Sequence, residues 1–165
     1  MPVLSNTADP VRGALAGLAA GLVASLVMNQ FQALAQKVMP PNDREEESEP
    51  ATGKAADAVA IAATGNPVPE LRKPAAGNFV HYAFGAALGV GYGIAAEYRR
   101  EITIGYGTGY GLAVAGIADE AAVPALGLGP PATETPPTTH LYAAVSHMVF
   151  GATLEGVRGL LRAKL

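Results

Sequence analysis

The chain has 165 residues, half of them hydrophobic, a formal net charge of -3 and no cysteine. That length supplies one domain, and the missing cysteine excludes disulfides, thiolate metal sites and cysteine nucleophiles. The weak negative balance removes the electrostatic basis for nucleic-acid binding.

Residues 1–11 read as a short unstructured lead. The first apolar stretch, residues 13–36, carries Gly13, Gly17, Gly21, Ser25 and Asn29 at four-residue spacing. Residues four apart share a helix face, so this is a flat strip of small side chains. An interior glycine costs a helix about 1 kcal/mol relative to alanine, a poor trade in water. In lipid, small residues are what let helix backbones approach. Arg12 ahead of an apolar run and the small-x-small Ala33-Leu34-Ala35 also suit a cleaved signal peptide. The run exceeds the roughly 7–15 residues of a signal-peptide core, which favours a retained span.

Met39-Pro40-Pro41 ends the first helix, and the acidic run from Asn42 to Pro50, with Glu45, Glu46 and Glu47, reads as a solvated loop rather than a cation site. Within the outer loop 37–76, Lys54 to Thr64 predicts a short surface helix closed by Gly65-Asn66-Pro67. Pro67, Pro69 and Pro74 predict an extended connection beyond it.

The second stretch, 77–97, repeats the pattern with His81, Gly85, Gly89, Gly93 and Glu97. The third, 102–128, has Gly107, Gly111, Ala115 and Asp119. Asp119 and Glu120 weaken it as a span, and Pro124 predicts a kink followed by a half-helix. Its Gly105-x-Gly107-x-Gly109-x-Gly111 superficially suggests a nucleotide loop, but no strand precedes it and helix packing explains it better. The fourth, 140–161, carries Ala143, His147, Gly151, Glu155 and Gly159. All four stretches are near or above the roughly 20 residues a span needs. The expected fold is therefore all-α, a four-helix transmembrane bundle with close Gly/Ala-rich packing, forming one domain over residues 12–162. A soluble alanine-rich helical protein is the alternative. Four spans put both termini on one side, and Arg99-Arg100 in a tight turn with the basic C-terminal segment assigns that side to the cytoplasm.

Helical rise converts sequence offset into depth. His81, Glu120, His147 and Asn29 all fall about 10–15 Å below the outer helix ends. With Asp119 they form a candidate cluster, because ionisable groups in a membrane face the bundle interior and pair. Such a set could shuttle protons, since histidine titrates near neutral pH. It could also hold a divalent metal through imidazole and carboxylate, or a haem between His81 and His147, although few large side chains exist to shape a haem pocket. The simplest role is interhelical hydrogen bonding that fixes register. His140, at a span start, is expected to be an exposed interfacial residue. Glu97, Arg99, Arg100, Glu155 and Arg158 form a second, inner layer of expected ion pairs, with Arg158 reaching the surface along its aliphatic stem. No Gly-x-Ser-x-Gly, Walker loop or HExxH is present, so no catalytic residue is expected and no cofactor is demanded. The partners expected are the bilayer, a further copy of the chain, or a larger membrane complex.

Certain motifs carry a family resemblance. They are His81-Tyr82-Ala83-Phe84, Gly89-Val90-Gly91-Tyr92-Gly93-Ile94-Ala95-Ala96-Glu97, Pro124-Ala125-Leu126-Gly127-Leu128-Gly129-Pro130-Pro131, and Ser146-His147-Met148-Val149-Phe150 followed by Glu155 and Arg158. Over residues 78–162 the chain resembles the YagU-like family of bacterial inner-membrane proteins. The resemblance implies a small multi-span protein of the cytoplasmic membrane with a link to acid tolerance, and it brings no catalytic residue. The compact first loop and the Asp119-Glu120 pair depart from the family pattern. The functional expectation is a structural or accessory membrane subunit, with a proton-responsive protein or a metal- or haem-binding subunit as alternatives.

Overall fold

The computed structural model describes residues 8–38 and 49–165, and all regular structure among them is helical. The Met39-Pro40-Pro41 stop, most of the acidic run and the first seven residues lie outside the described residues. Helix α1 spans Pro10–Val38, α2 Ala51–Thr64 and α3 Lys73–Tyr98. Helix α4 is Thr108–Ile117, a π-helical turn covers Ala118–Ala122, α5 is the short Val123–Ala125, and α6 is Pro137–Arg162.

The pairs α1–α3, α1–α6 and α4–α6 pack along their lengths, so the long helices lie in the order α3, α1, α6, α4. Glycine sets the closeness. A Cβ placed on Gly17 would run into the Gly89 carbonyl oxygen, and one on Gly89 into that of Gly17. Gly93 and Gly13 stand in the same relation; a Cβ on Gly21 would meet the Gly85 carbonyl, and one on Gly85 the Ser25 hydroxyl. On the other side of the bundle, Gly107 and Gly151 oppose each other's carbonyls, and Gly111 faces the His147 carbonyl. These seams bring backbone against backbone, so dispersion contacts come from main-chain atoms rather than from interdigitated side chains.

Burial is correspondingly inverted. Ala16, Ala20 and Ala24 of α1 are 1% exposed or less, while Leu15, Leu18, Leu22 and Leu26 of the same helix are 40–55% exposed. The few large interior side chains are Met28, Tyr92, Phe150 and Leu154.

Four differences from the sequence-based expectation have local causes. The third segment starts at Thr108, not at residue 102, because Gly105, Tyr106 and Gly107 take φ values of 70°, 57° and 80°. Three successive left-handed residues cannot continue a right-handed helix. Gly105 and Gly107 are therefore turn residues, and of the glycine series it is Gly107 and Gly111 that meet α6. The break in the third segment falls at Asp119 and Glu120 rather than at Pro124. They sit in the π turn, which absorbs one extra residue and hands the chain on to α5, where Pro124 occupies a first-turn position. Pro74 likewise lies in the first turn of α3, where its missing N–H is no loss, so the expected extended connection is helical from Glu70 onward, a 3-10 turn over Glu70–Arg72 running into α3.

The last difference concerns apolarity. Two helices, Pro10–Val38 and Glu70–Tyr98, are long and apolar enough to cross a membrane. The π turn interrupts α4, and Thr138, Thr139, His140, Ser146 and His147 dilute α6.

The surface helix expected over Lys54–Thr64 is present as α2, starting three residues earlier. Gly65 closes it in a left-handed cap (φ 77°), its N–H donating to the Ile61 carbonyl at 2.8 Å. Asp57 accepts a hydrogen bond from the Val68 N–H at 2.8 Å and an ion pair from Lys73 Nζ at 3.2 Å, pinning α2 to the start of α3. Glu70 (2.9 Å) and Glu49 (3.5 Å) complete the carboxylate set around that ammonium.

Candidate functional site

The π turn decides the outer site. It presents two adjacent carboxylates to α6, and each finds a different histidine. Asp119 Oδ2 lies 3.3 Å from His147 Nδ1, which also hydrogen-bonds the Ala143 carbonyl at 3.0 Å. Glu120 Oε1 lies 2.6 Å from His140 Nδ1, whose Nε2 reaches the Ala132 carbonyl at 3.1 Å. His147 is buried, with 11% of its side chain exposed, whereas His140 is about one-third exposed. One pair is therefore interior and the other lies nearer the helix start.

His81 comes from α3. It sits against the backbone of Ser25 on α1 and within electrostatic range of His147. Its Nε2 is buried without a hydrogen-bond partner, as are the hydroxyls of Ser25 and Ser146. Leaving a buried polar atom unpaired costs about 1–3 kcal/mol. This layer of the bundle thus holds three polar atoms with unused bonding capacity beside an imidazole–carboxylate pair. Asn29 stays outside both pairs, half-buried on α1. Among the described residues no group of three or more His, Cys, Asp or Glu side chains is placed to hold a metal ion.

The inner layer is assembled differently from the sequence expectation. Glu97 is gripped by Arg162, with Nε to Oε1 at 2.6 Å and Nη2 to Oε2 at 3.0 Å. The Asp9 N–H adds a further bond to Glu97 Oε2 at 2.9 Å. Glu155 and Arg158 form a second two-point pair on α6, at 2.7 and 2.8 Å. The hydroxyl of fully buried Tyr92 donates to Glu155 Oε2 at 2.9 Å, tying α3 to α6. Arg99 and Arg100 are exposed and make no ion pair among the described residues. Arg162 takes the place at Glu97 expected for them.

The spacing of the sequence does not reveal the contacts of Arg162, Tyr92 and Tyr110, and His140, expected as an exposed interfacial residue, pairs with Glu120 instead. Two of them had a signal. His140 lies seven residues before His147, and Arg162 seven after Glu155, so each shares a helix face with a residue already singled out. Tyr110, which donates to the Leu88 carbonyl at 3.0 Å, had none.

A family model described as "Protein of unknown function (DUF1440)" matches residues 22–156 of the chain. No curated protein and no solved structure matches it.

Proposed function

The chain belongs to the YagU-like DUF1440 family, and from that premise we propose that it is a multi-pass protein of the bacterial cytoplasmic membrane, a non-catalytic structural or accessory subunit. The inverted burial carries this reading. Leucines stand outward and alanines and glycines inward along α1, and Phe79, Phe84, Leu112, Ile117, Leu141 and Met148 also point out from α3, α4 and α6. Soluble domains rarely expose contiguous apolar surface on that scale. In lipid the arrangement is favourable, because outward leucine costs nothing and inward glycine permits close packing. The 26 residues of α6 reach about 39 Å at 1.5 Å per residue, enough to cross beside α1 and α3. On this reading α4 with its π turn and α5 is the remaining crossing, both termini face the cytoplasm, and the small-residue faces offer contact to a further copy or a larger complex.

Membrane fractions washed at alkaline pH test it. The chain is expected to remain in the pellet, with reporters fused at either terminus on the cytoplasmic side and one inserted at Asn66 on the opposite side. Release into the wash, or all three reporters on one side, overturns the reading.

A second reading is a proton-responsive membrane protein, and the paired histidines and carboxylates around the π turn favour it. A π turn widens the helix and is frequent at functional sites, and imidazole beside carboxylate is a competent proton relay. In liposomes loaded with a pH-sensitive dye, wild type should pass protons and a His147→Ala, Glu120→Gln double variant should not. Flux that survives the double substitution removes this reading. No flux from wild type, with the variants only melting earlier, leaves the structural reading alone.

A further inference from the structure

The inner end of the bundle holds a cavity of about 250 Å³ lined by Ala8, Ala96, Glu97, Arg100, Thr103, Arg158 and Arg162. Three arginines line it from two elements, the turn after α3 and the last turns of α6. Cations near helix C-termini are stabilised by the helix dipole, which accounts for Arg158 and Arg162 at the end of α6. It does not account for Arg100, which lies beyond the end of α3 in the 3-10 turn Arg100–Thr103.

A guanidinium has five N–H donors. Arg158 gives Nε and Nη2 to Glu155, and Arg162 gives Nε and Nη2 to Glu97, so the Nη1 group of each remains unspent. Arg100 gives none to a carboxylate among the described residues. Glu97, by contrast, already accepts three hydrogen bonds, two from Arg162 and one from the Asp9 N–H. The cavity wall therefore offers many donors, little acceptor capacity and an excess positive charge. That is the chemistry of an oxyanion site, and guanidinium forks match phosphate geometry in particular.

We propose that this pocket binds a phosphate group, and that the headgroup of an anionic phospholipid is its natural occupant. The lipid assignment rests on the membrane reading above, which sets the inner end of the bundle at the cytoplasmic headgroup level. Basic pockets between membrane helices on that side are suited to such headgroups. Exposed Tyr98 and Tyr106 flank the same end, where interfacial tyrosines are found. The two carboxylates hold Arg158 and Arg162 in place, and Arg100 supplies the charge they do not cancel.

The test is native mass spectrometry of the full chain released from detergent with phosphatidylglycerol or phosphatidylcholine. Wild type should retain phosphatidylglycerol in preference to phosphatidylcholine, and Arg100→Gln should weaken that retention about fivefold, the worth of one surface arginine. Arg99→Gln is the matched control, because it removes the same charge one residue away from a side chain that does not line the cavity. It should leave retention unchanged. Equal retention of the two lipids, or equal loss from both substitutions, overturns the proposal. Titration of inorganic phosphate by calorimetry separates the sources: Arg100-dependent phosphate binding without lipid preference keeps the phosphate site and overturns the lipid as its occupant. Alkaline washing is scored separately, so a chain that stays in the membrane yet retains no lipid through Arg100 loses the site and not the membrane reading.

Discussion

Gly89→Leu is expected to abolish accumulation of folded protein, while Gly91→Leu, two residues away on the same helix, should accumulate and melt like the parent. A side chain on Gly89 would enter the carbonyl oxygen of Gly17, and the Gly21 Cα lies only 2.8 Å from the first added carbon. Inserting extra carbon into a filled interior costs about 1–3 kcal/mol when neighbouring side chains can adjust. Here the neighbours are backbone atoms, which have no rotamer to change, so the cost falls at or above the top of that range. At Gly91 nothing lies within 4 Å of the added carbon. Size-exclusion profiles and thermal melts in detergent check both. A Gly89→Leu protein as stable as the parent would mean that α1 and α3 do not meet along this seam.

The second large effect is expected at Glu155. Its side chain is 13% exposed, that of its partner Arg158 is 12% exposed, and the carboxylate also receives the hydroxyl of buried Tyr92. Removing one member of a buried pair costs about 3–5 kcal/mol, because the other charge is left uncompensated. Glu155→Ala should therefore lower the melting temperature strongly. Tyr92→Phe, which removes only one hydrogen bond to a charged group, should cost less, about 1.5–3 kcal/mol. Combining Glu155→Leu with Arg158→Met should recover much of the loss, since an apolar replacement of both partners removes the unpaired charge. If Glu155→Ala melts with the parent, Arg158 has another acceptor, and the tie between α3 and α6 is not the one described.

Much of this was legible in the sequence for a definite reason. Four-residue spacing is a property of the helix itself, so Gly17 and Gly89 could be placed on facing strips before their partners were known, and the YagU-like motifs pointed to the family to which the chain belongs. Contacts set by local departures from the α-helix were not legible. The π turn at Asp119-Glu120 is one. With regular geometry the two carboxylates project in divergent directions, and no spacing rule assigns Asp119 to His147 and Glu120 to His140. The left-handed run at Gly105-Tyr106-Gly107 is the other, since a glycine permits positive φ without requiring it. The 3-10 turn Arg100–Thr103 that precedes it was equally unmarked, and it sets Arg100 on the wall of the inner cavity while Arg162 takes Glu97. Tertiary partners sixty or more residues apart, such as Glu97 with Arg162 and Tyr92 with Glu155, follow from how the helices are ordered, and single-chain spacing does not contain that order.

The helix order itself has a mechanical consequence. The α1–α3 and α4–α6 pairs meet backbone to backbone, but α3 and α4 are bridged by side chains, through the Tyr110 hydroxyl on the Leu88 carbonyl and the Tyr92 and Tyr110 rings 4.7 Å apart. Between these two helices runs an apolar groove of about 180 Å³, lined by Phe84, Leu88, Tyr110, Val114 and Ile117 among others. Side chains can rotate where main chains cannot, so the two glycine seams are stiff and the α3–α4 line is compliant. Opening along the α3–α4 line therefore moves α4 and α6 together as one leaf, and Asp119 and Glu120 keep their histidine partners on α6.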